Sequence, residues 1–473
     1  MTILLTIAAY FAVLFGIGRL TSRRAGNAAF FTAERRSPWP MVAFGMVGAS
    51  ISGVTFVSVP GMVQTSQMTY LQVCLGFIVG YAVVAFLLLP LYYRLSLTSI
   101  YTYLGTRLGP CSYKTGAWFF LLSKMTGAAL KFYVVCLILQ QFVFEPLGIP
   151  FVANVVLMVT LIWLYTHRGG IRTLVFTDVF QTTCLFTSLL LIIYYVVQSL
   201  GLSLTEAATA IARSDMSRVF VMDDWLSPHY FWKQFLSGIF IVVVMTGLDQ
   251  DMMQKNLTCR TLHDAQKDMC CYGLAFLPAN LLFLSLGVLL TMLPSLGGVS
   301  GDALLPTFVN HSATYVVVLF TLGIVAASFS SADSALTSLT TSYCIDICQH
   351  PVDERERRRV HGVICLLFVL FILLFRYVNS ASLIDAIYTL VGYTYGPLLG
   401  LFAFGLFTRR QPSDRWVPLV CVASPLICLL ADTLAIRYAG YHFGYELLML
   451  NGMLTFTGLW ETAQVKHQNL KDS

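Results

Sequence analysis

The chain has 473 residues, of which 57% are hydrophobic and only 11% charged, with a formal net charge of +6. A soluble domain carries roughly 25% charged residues, so a water-facing globule is excluded, and the cations sit in short loops where they report topology rather than nucleic-acid binding. The twelve cysteines show neither a CxxC pair nor zinc-ligand spacing, which leaves no case for a disulfide framework or a metal centre.

Apolar runs of about 20 residues recur along the whole length, each able to cross a hydrocarbon core of about 30 Å. Lipid demands an internally satisfied backbone, which only helices or closed barrels provide, and barrel strands of about ten alternating residues do not fit these continuous runs. The reading is an all-α integral membrane protein of about thirteen spans: 3–21, 38–62, 69–94, 113–143, 150–167, 171–198, 229–255, 266–294, 311–347, 357–378, 382–408, 415–438 and 442–462. The first run has no basic residue before it and is followed by Arg23 and Arg24, the reverse of a secretory signal, so it reads as a retained helix.

Lys and Arg alternate between loops as the positive-inside rule requires. Arg23, Arg24, Arg35 and Arg36 follow the first span, and Arg94, Arg107 and Lys114 the third. Arg168 and Arg172 follow the fifth, and Lys255, Arg260 and Lys267 the seventh. Arg355 and Arg357 to Arg359 follow the ninth, and Arg409, Arg410 and Arg415 the eleventh. The intervening loops are nearly free of cations, and 199–228 is acid-rich. An odd number of spans then places the N-terminus outside and the C-terminus in the cytosol of a multi-pass cell-membrane protein. The extramembrane pieces are too short for a core of their own, so residues 1–473 read as a single polytopic domain. With no GxxxxGK[ST] loop to cradle phosphates, transport energy has to come from an ion gradient.

Buried polar groups are costly in lipid and are therefore functional candidates. The second span, MVAFGMVGASISGVTFVSVPGMV from Met41, is interrupted by Gly48, Gly53 and Pro60-Gly61, with Ser50, Ser52, Thr55 and Ser58 between them. Such a span is either a broken helix whose freed carbonyls hold an ion or a kinked packing helix with small residues at its seam. In the ninth span Ala327, Ser330, Ser331 and Ser334 share one helix face. That stripe is either a set of oxygen ligands for a small hard cation or a seam whose hydroxyls bond back to their own helix. Asp178 in the sixth span and Asp333 inside the stripe need a cation, a hydroxyl network or a proton, although Asp178 also reads as interfacial. Lys124 and Lys131, seven apart on the fourth span, either grip an anionic solute or divide between pairing with an aspartate and snorkelling.

The motifs FFTAERRSPW from Phe30, GGIRTLVFTDVFQ from Gly169, GLDQDMMQKNL from Gly247, DALLP from Asp302, AASFSSADSALTS from Ala326 and YGPLLGLF from Tyr395 occur in one order along most of the chain. As a set they resemble the sodium:solute symporter family, which includes sodium-coupled carriers of sugars, proline, pantothenate, iodide and sialic acid. The resemblance implies a leucine-transporter-type core of two inverted five-helix repeats, here 38–198 and 229–408. A first helix with its cytoplasmic loop (1–37) precedes them, and accessory C-terminal helices with a tail (415–473) follow. It implies a principal sodium site from the carbonyls of Gly48, Ile51 and Ala327 and the hydroxyls of Ser330 and Ser331. Asp178, Ser331, Asp333 and Ser334 stand where a second sodium would bind, with Asp333 replacing a hydroxyl found in some members.

The tyrosine that stacks on sugar in the sugar carriers is replaced by Met245, and Lys124 resembles a cation that grips carboxylates in acid-carrying members. A small organic anion is therefore the expected solute, with Ser52, Thr55, Ser58, Gln72, Lys124, Lys131 and Met245 around it and Na+ as the coupling ion. The alternative is a proton-coupled carrier of a neutral sugar or amino acid, with Asp178 or Asp333 taking the proton. No HExxH, GxSxG or histidine cluster supports an enzyme. The expected partners are a small solute, sodium and the lipid bilayer, with no nucleic acid and no obligatory protein.

Overall fold

A computed structural model describes residues 2–23, 26–225, 227–348, 350–376, 383–441 and 443–464. Arg24, the junction of the tenth and eleventh expected spans (377–382) and most of the C-terminal tail (465–473) lie outside these residues. In chain order the membrane helices are α1 (Thr2–Thr21), α2 (Trp39–Ser50), α3 (Gly53–Ser66), α4 (Tyr70–Arg94), α5 (Pro110–Leu147), α6 (Phe151–Gly169), α7 (Ile171–Ser199), α8 (Phe231–Gly247) and α9 (Gln250–Asn256). They continue as α10 (Leu262–Thr291), α11 (Thr314–Ile347), α12 (Glu354–Phe375), α13 (Leu383–Phe407), α14 (Val417–Ala439) and α15 (Leu447–Glu461).

Among the described residues ten helices are long and apolar enough to cross a membrane, or twelve when the bent pairs α2–α3 and α8–α9 each count as one span. The thirteenth expected span is shorter than its apolar run. Residues ahead of α15 are drawn into a turn in which the Tyr441 hydroxyl donates to Glu446 and the Phe443 N–H to Asp432. This leaves a helix of 15 residues.

Burial orders the bundle from centre to rim. The apolar stretch of α11 is 67% buried, whereas those of α1 and α14 are each 22% buried and present leucines outward, as lipid-facing accessory helices do. At the centre α7 packs on α11 and α2, α8 on α4, and α13 on α5 and α15.

Two interruptions distinguish this bundle. Between α2 and α3 the chain bends by 61° through Ile51 (φ −83°, ψ 101°) and Ser52 (φ −87°, ψ 170°), both extended. Close packing needs glycine on both sides of the break. A Cβ on Gly48 would lie 1.9 Å from Thr182 Oγ1 on α7, and one on Gly53 would lie 2.3 Å from Ser328 Oγ on α11. Pro60-Gly61, expected to interrupt the same span, sits inside a continuous α3. The second interruption, between α8 and α9, bends by 69° at Leu248 and Asp249. A discontinuous helix thus opens each of the two successive five-span sets, the arrangement of an inverted-repeat carrier of the leucine-transporter type.

Candidate functional site

The first break faces the serine stripe of α11. Ser331 Oγ donates to Ala49 O on α2 at 2.8 Å and to Ala327 O on its own helix at 3.2 Å. The last turn of α2 has no following helix to donate to its carbonyls, and among the described residues no donor reaches Gly48 O or Ile51 O. The Ala327, Ser330, Gly48 and Ile51 positions are all buried. The Ser331 hydroxyl thus ties the end of α2 to α11 beside the break that holds Gly48 and Ile51, while the Ser330 hydroxyl is directed to Asp178. The oxygens these residues offer, carbonyl and hydroxyl, suit a small hard cation.

The residues expected around a second sodium are arranged differently. Asp178 Oδ2 lies 2.7 Å from Lys255 Nζ, both side chains being 2% exposed, and Asp178 Oδ1 accepts the Ser330 hydroxyl at 2.7 Å. Asp178 is therefore a buried ion-paired group rather than an interfacial one. Asp333 Oδ2 accepts the Tyr165 hydroxyl at 2.7 Å, and Oδ1 accepts Ser334 Oγ at 3.3 Å. Lys255, read from the sequence as a cytoplasmic loop charge, is folded inward because α9 turns back into the bundle after the second break.

Beside the first break lies a central cavity of about 140 Å³, bounded by both broken helices and by α4, α5, α10, α11 and α13. Ser52, Thr55, Lys124, Lys131 and Met245 line it as expected, whereas Ser58 and Gln72 do not. Ser58 faces packed helix, 1% exposed. Gln72 is turned toward the 199–230 loop, its Nε2 donating to His229 O and its Oε1 accepting Val221 N–H.

The two lysines have separate fates. Lys124 Nζ lies 2.6 Å from Asp251 Oδ2 and 3.1 Å from Asp249 Oδ2, so it is held by two carboxylates at the second break and not by Asp178 or Asp333. Asp249 also accepts the Tyr395 hydroxyl at 2.6 Å and the Asp251 N–H at 2.8 Å, which caps α9 and ties it to α13. The two break carbonyls Gly247 O and Leu248 O accept the hydroxyls of Tyr92 and Tyr101 at 2.8 and 2.9 Å. Lys131 lines the same cavity with no ion-pair partner among the described residues.

Sequence reasoning passed over Asp249, Asp251, Lys255 and Tyr395. A signal existed: two acids inside the run MTGLDQDMM are as costly in a membrane helix as Asp178 is. Ser123 Oγ, Ser328 Oγ and Asp251 Oδ1 also border the cavity and are buried with no hydrogen-bond partner among the described residues. The Ser50 and Tyr272 hydroxyls lie 2.6 Å apart at its wall, and Tyr81 donates to Tyr272 at 2.9 Å. The cavity therefore has an aromatic and hydroxyl wall on one side and charges on the other.

Comparison with known proteins agrees with this architecture. The chain is 25% identical over 430 residues to a sodium/sialic acid symporter, NanT, of Aliivibrio fischeri, covering 87% of this chain and 84% of that protein. It is 25% identical over 456 residues to the sodium/sialic acid symporter SiaT of Proteus mirabilis, covering 89% and 88%. A solved structure of a Na+-coupled sialic acid symporter in a substrate-bound outward-open state superposes with a TM-score of 0.81, at 21% identity and over 98% of this chain and 99% of that one, which shows a shared fold. Residues 30–414 match the sodium:solute symporter family. The chain belongs to that family, and it is a multi-pass membrane transporter that couples solute movement to sodium.

Proposed function

We propose that this symporter imports a small organic anion, such as a carboxylate, together with sodium. The observation that carries the reading is Lys131, an ammonium in the central cavity with no ion-pair partner among the described residues, beside Lys124, which is held by Asp249 and Asp251. Lys131 is half-buried, and an ammonium partly removed from water without a direct partner is one that an anionic solute would stabilise. The names of the sialic acid symporters describe carriers of an acid.

Sodium is held in this reading by the carbonyls of Gly48, Ile51 and Ala327 and the hydroxyls of Ser330 and Ser331. It bridges α2 to α11 while the cavity faces outward. Ser52, Thr55, Lys131, Ser123 and Ser328 then receive the solute. The repeats 38–198 and 229–408 rock about the site, and sodium leaves to the dilute cytosol. The alternation of Lys and Arg between loops supports an external N-terminus and a cytosolic C-terminus.

A membrane potential of 100 mV supplies about 2.3 kcal/mol per charge, and a tenfold sodium gradient about 1.4 kcal/mol. For one sodium with one monovalent anion the potential cancels, and the sodium gradient alone drives uptake. The test is uptake of a panel of carboxylates and neutral sugars into proteoliposomes with and without an inward sodium gradient. Lys131→Met is expected to abolish carboxylate uptake while leaving sodium-induced thermal stabilisation intact. Undiminished carboxylate uptake by that variant, or sodium-driven uptake of neutral solutes only, would overturn the anion reading.

A further inference from the structure

Among the described residues, Lys255 is a fully buried ion-paired lysine that the transport cycle above does not use. It lies on α9, where every residue from Gln250 to Asn256 is buried. Its ammonium meets Asp178 on α7 at 2.7 Å, and Asp178 in turn takes the hydroxyl proton of Ser330 on α11, a residue of the sodium site. Asp333, one turn along α11, accepts hydrogen bonds at both oxygens and is near enough for its charge to act on both Asp178 and Lys255. Three helices therefore converge on two carboxylates and one ammonium, with the proposed principal sodium bordering them.

We propose that Lys255 is a tethered counter-ion that fills the place of a second sodium at Asp178 and so fixes the carrier at one transported sodium per cycle; this rests on the sodium site described above. Three arguments support it. Both oxygens of Asp178 are already engaged, one by the ammonium and one by Ser330. Lys255 already compensates the Asp178 charge, so a further sodium there would add an uncompensated positive charge to the bilayer interior. Finally, a cation attached to the chain has an effective local concentration set by its tether. It holds the carboxylate in every state of the cycle and, being unable to leave, dissipates no gradient.

The role of Lys255 is positional. By holding Asp178 in place, it keeps the Ser330 proton turned toward Asp178 and leaves the Ser330 oxygen lone pairs to the transported ion.

The experiment counts bound sodium on purified full-length protein with radioactive sodium, and reads the Hill coefficient of sodium-dependent uptake in proteoliposomes. Wild type is expected to bind one sodium per chain with a Hill coefficient of one. Lys255→Met exposes the Asp178 carboxylate and is expected to bind two, with a Hill coefficient above one and thermal stability that now depends steeply on sodium. Lys255→Arg keeps the charge and is expected to match wild type. The Lys255→Met/Asp178→Asn pair removes the vacated carboxylate and returns the count to one.

A folded Lys255→Met that still binds one sodium overturns the proposal. So does a wild-type count of two, whether or not any variant folds. A wild-type count of zero instead overturns the underlying sodium site, which separates the two failures.

Discussion

Replacing Ser331 by alanine separates an ion ligand from a packing contact. For the fold the loss is small. The hydroxyl donates to Ala49 O at 2.8 Å and to Ala327 O at 3.2 Å, and a neutral hydrogen bond contributes about 1 kcal/mol net. Alanine recovers up to about 0.5 kcal/mol through its higher helix propensity, so the bundle should stay within about 1 kcal/mol of wild type. For sodium the loss is larger, because an oxygen facing a full charge contributes about 1.5–3 kcal/mol. At about 1.4 kcal/mol per tenfold, half-saturation should rise roughly 10- to 100-fold with little change in melting temperature in the absence of sodium. Both quantities come from sodium-titrated thermal unfolding in detergent and from uptake in proteoliposomes. Ser334→Ala is the comparator, since that hydroxyl is directed to Asp333, and its sodium half-saturation should match wild type. A Ser331→Ala protein with unaltered half-saturation would refute the ligand assignment. One that loses its fold at any sodium concentration would make the residue structural.

Gly48→Ala should destabilise the protein by about 1–3 kcal/mol through overpacking, since its Cβ would collide with Thr182; thermal unfolding of Gly48→Ala/Thr182→Gly should recover part of that loss. Lys124→Met strands Asp249 and Asp251 without their counter-charge and should lower stability by about 3–5 kcal/mol, with Lys124→Met/Asp251→Asn regaining part of it in the same thermal assay. Tyr395→Phe removes the 2.6 Å hydrogen bond to Asp249, a contact to a charged group of about 1.5–3 kcal/mol. It should lower the uptake rate of proteoliposomes while leaving equilibrium sodium binding at wild-type affinity.

What the sequence made legible was what is written locally. The apolar runs gave the spans, and the glycines and serines between Gly48 and Ser58 marked a break whose position, Ile51–Ser52, lies within that stretch. The glycines at 48 and 53 carry the signal because they are needed for helix contact, whereas Pro60 proved compatible with a continuous helix. The serine face of α11 and the depth of Asp178 were likewise readable from spacing and polarity. The second break was not. Its backbone is stabilised by Tyr92 and Tyr101, about 150 residues earlier in the chain, and no local pattern announces such donors. Lys255 was miscounted for the same reason: a lysine after an apolar run reads as a loop charge unless the fold reverses direction just before it. Lys124 and Asp249 are 125 residues apart, so the ion pairing of that cavity lysine is a property of tertiary packing alone.

The two creases in this bundle are plugged by different agents. At Gly247 and Leu248 the plug is protein, two phenolic hydroxyls that remain wherever the cavity opens. At Gly48 and Ile51 no resident group does that work among the described residues, which leaves the place to the proposed sodium. On that proposal the second break is stiff at all times, and the first is stiff only while its guest stays. An ion that departs on the dilute side slackens one limb and spares the other, which lets a downhill leak of cations be converted into directed movement of cargo.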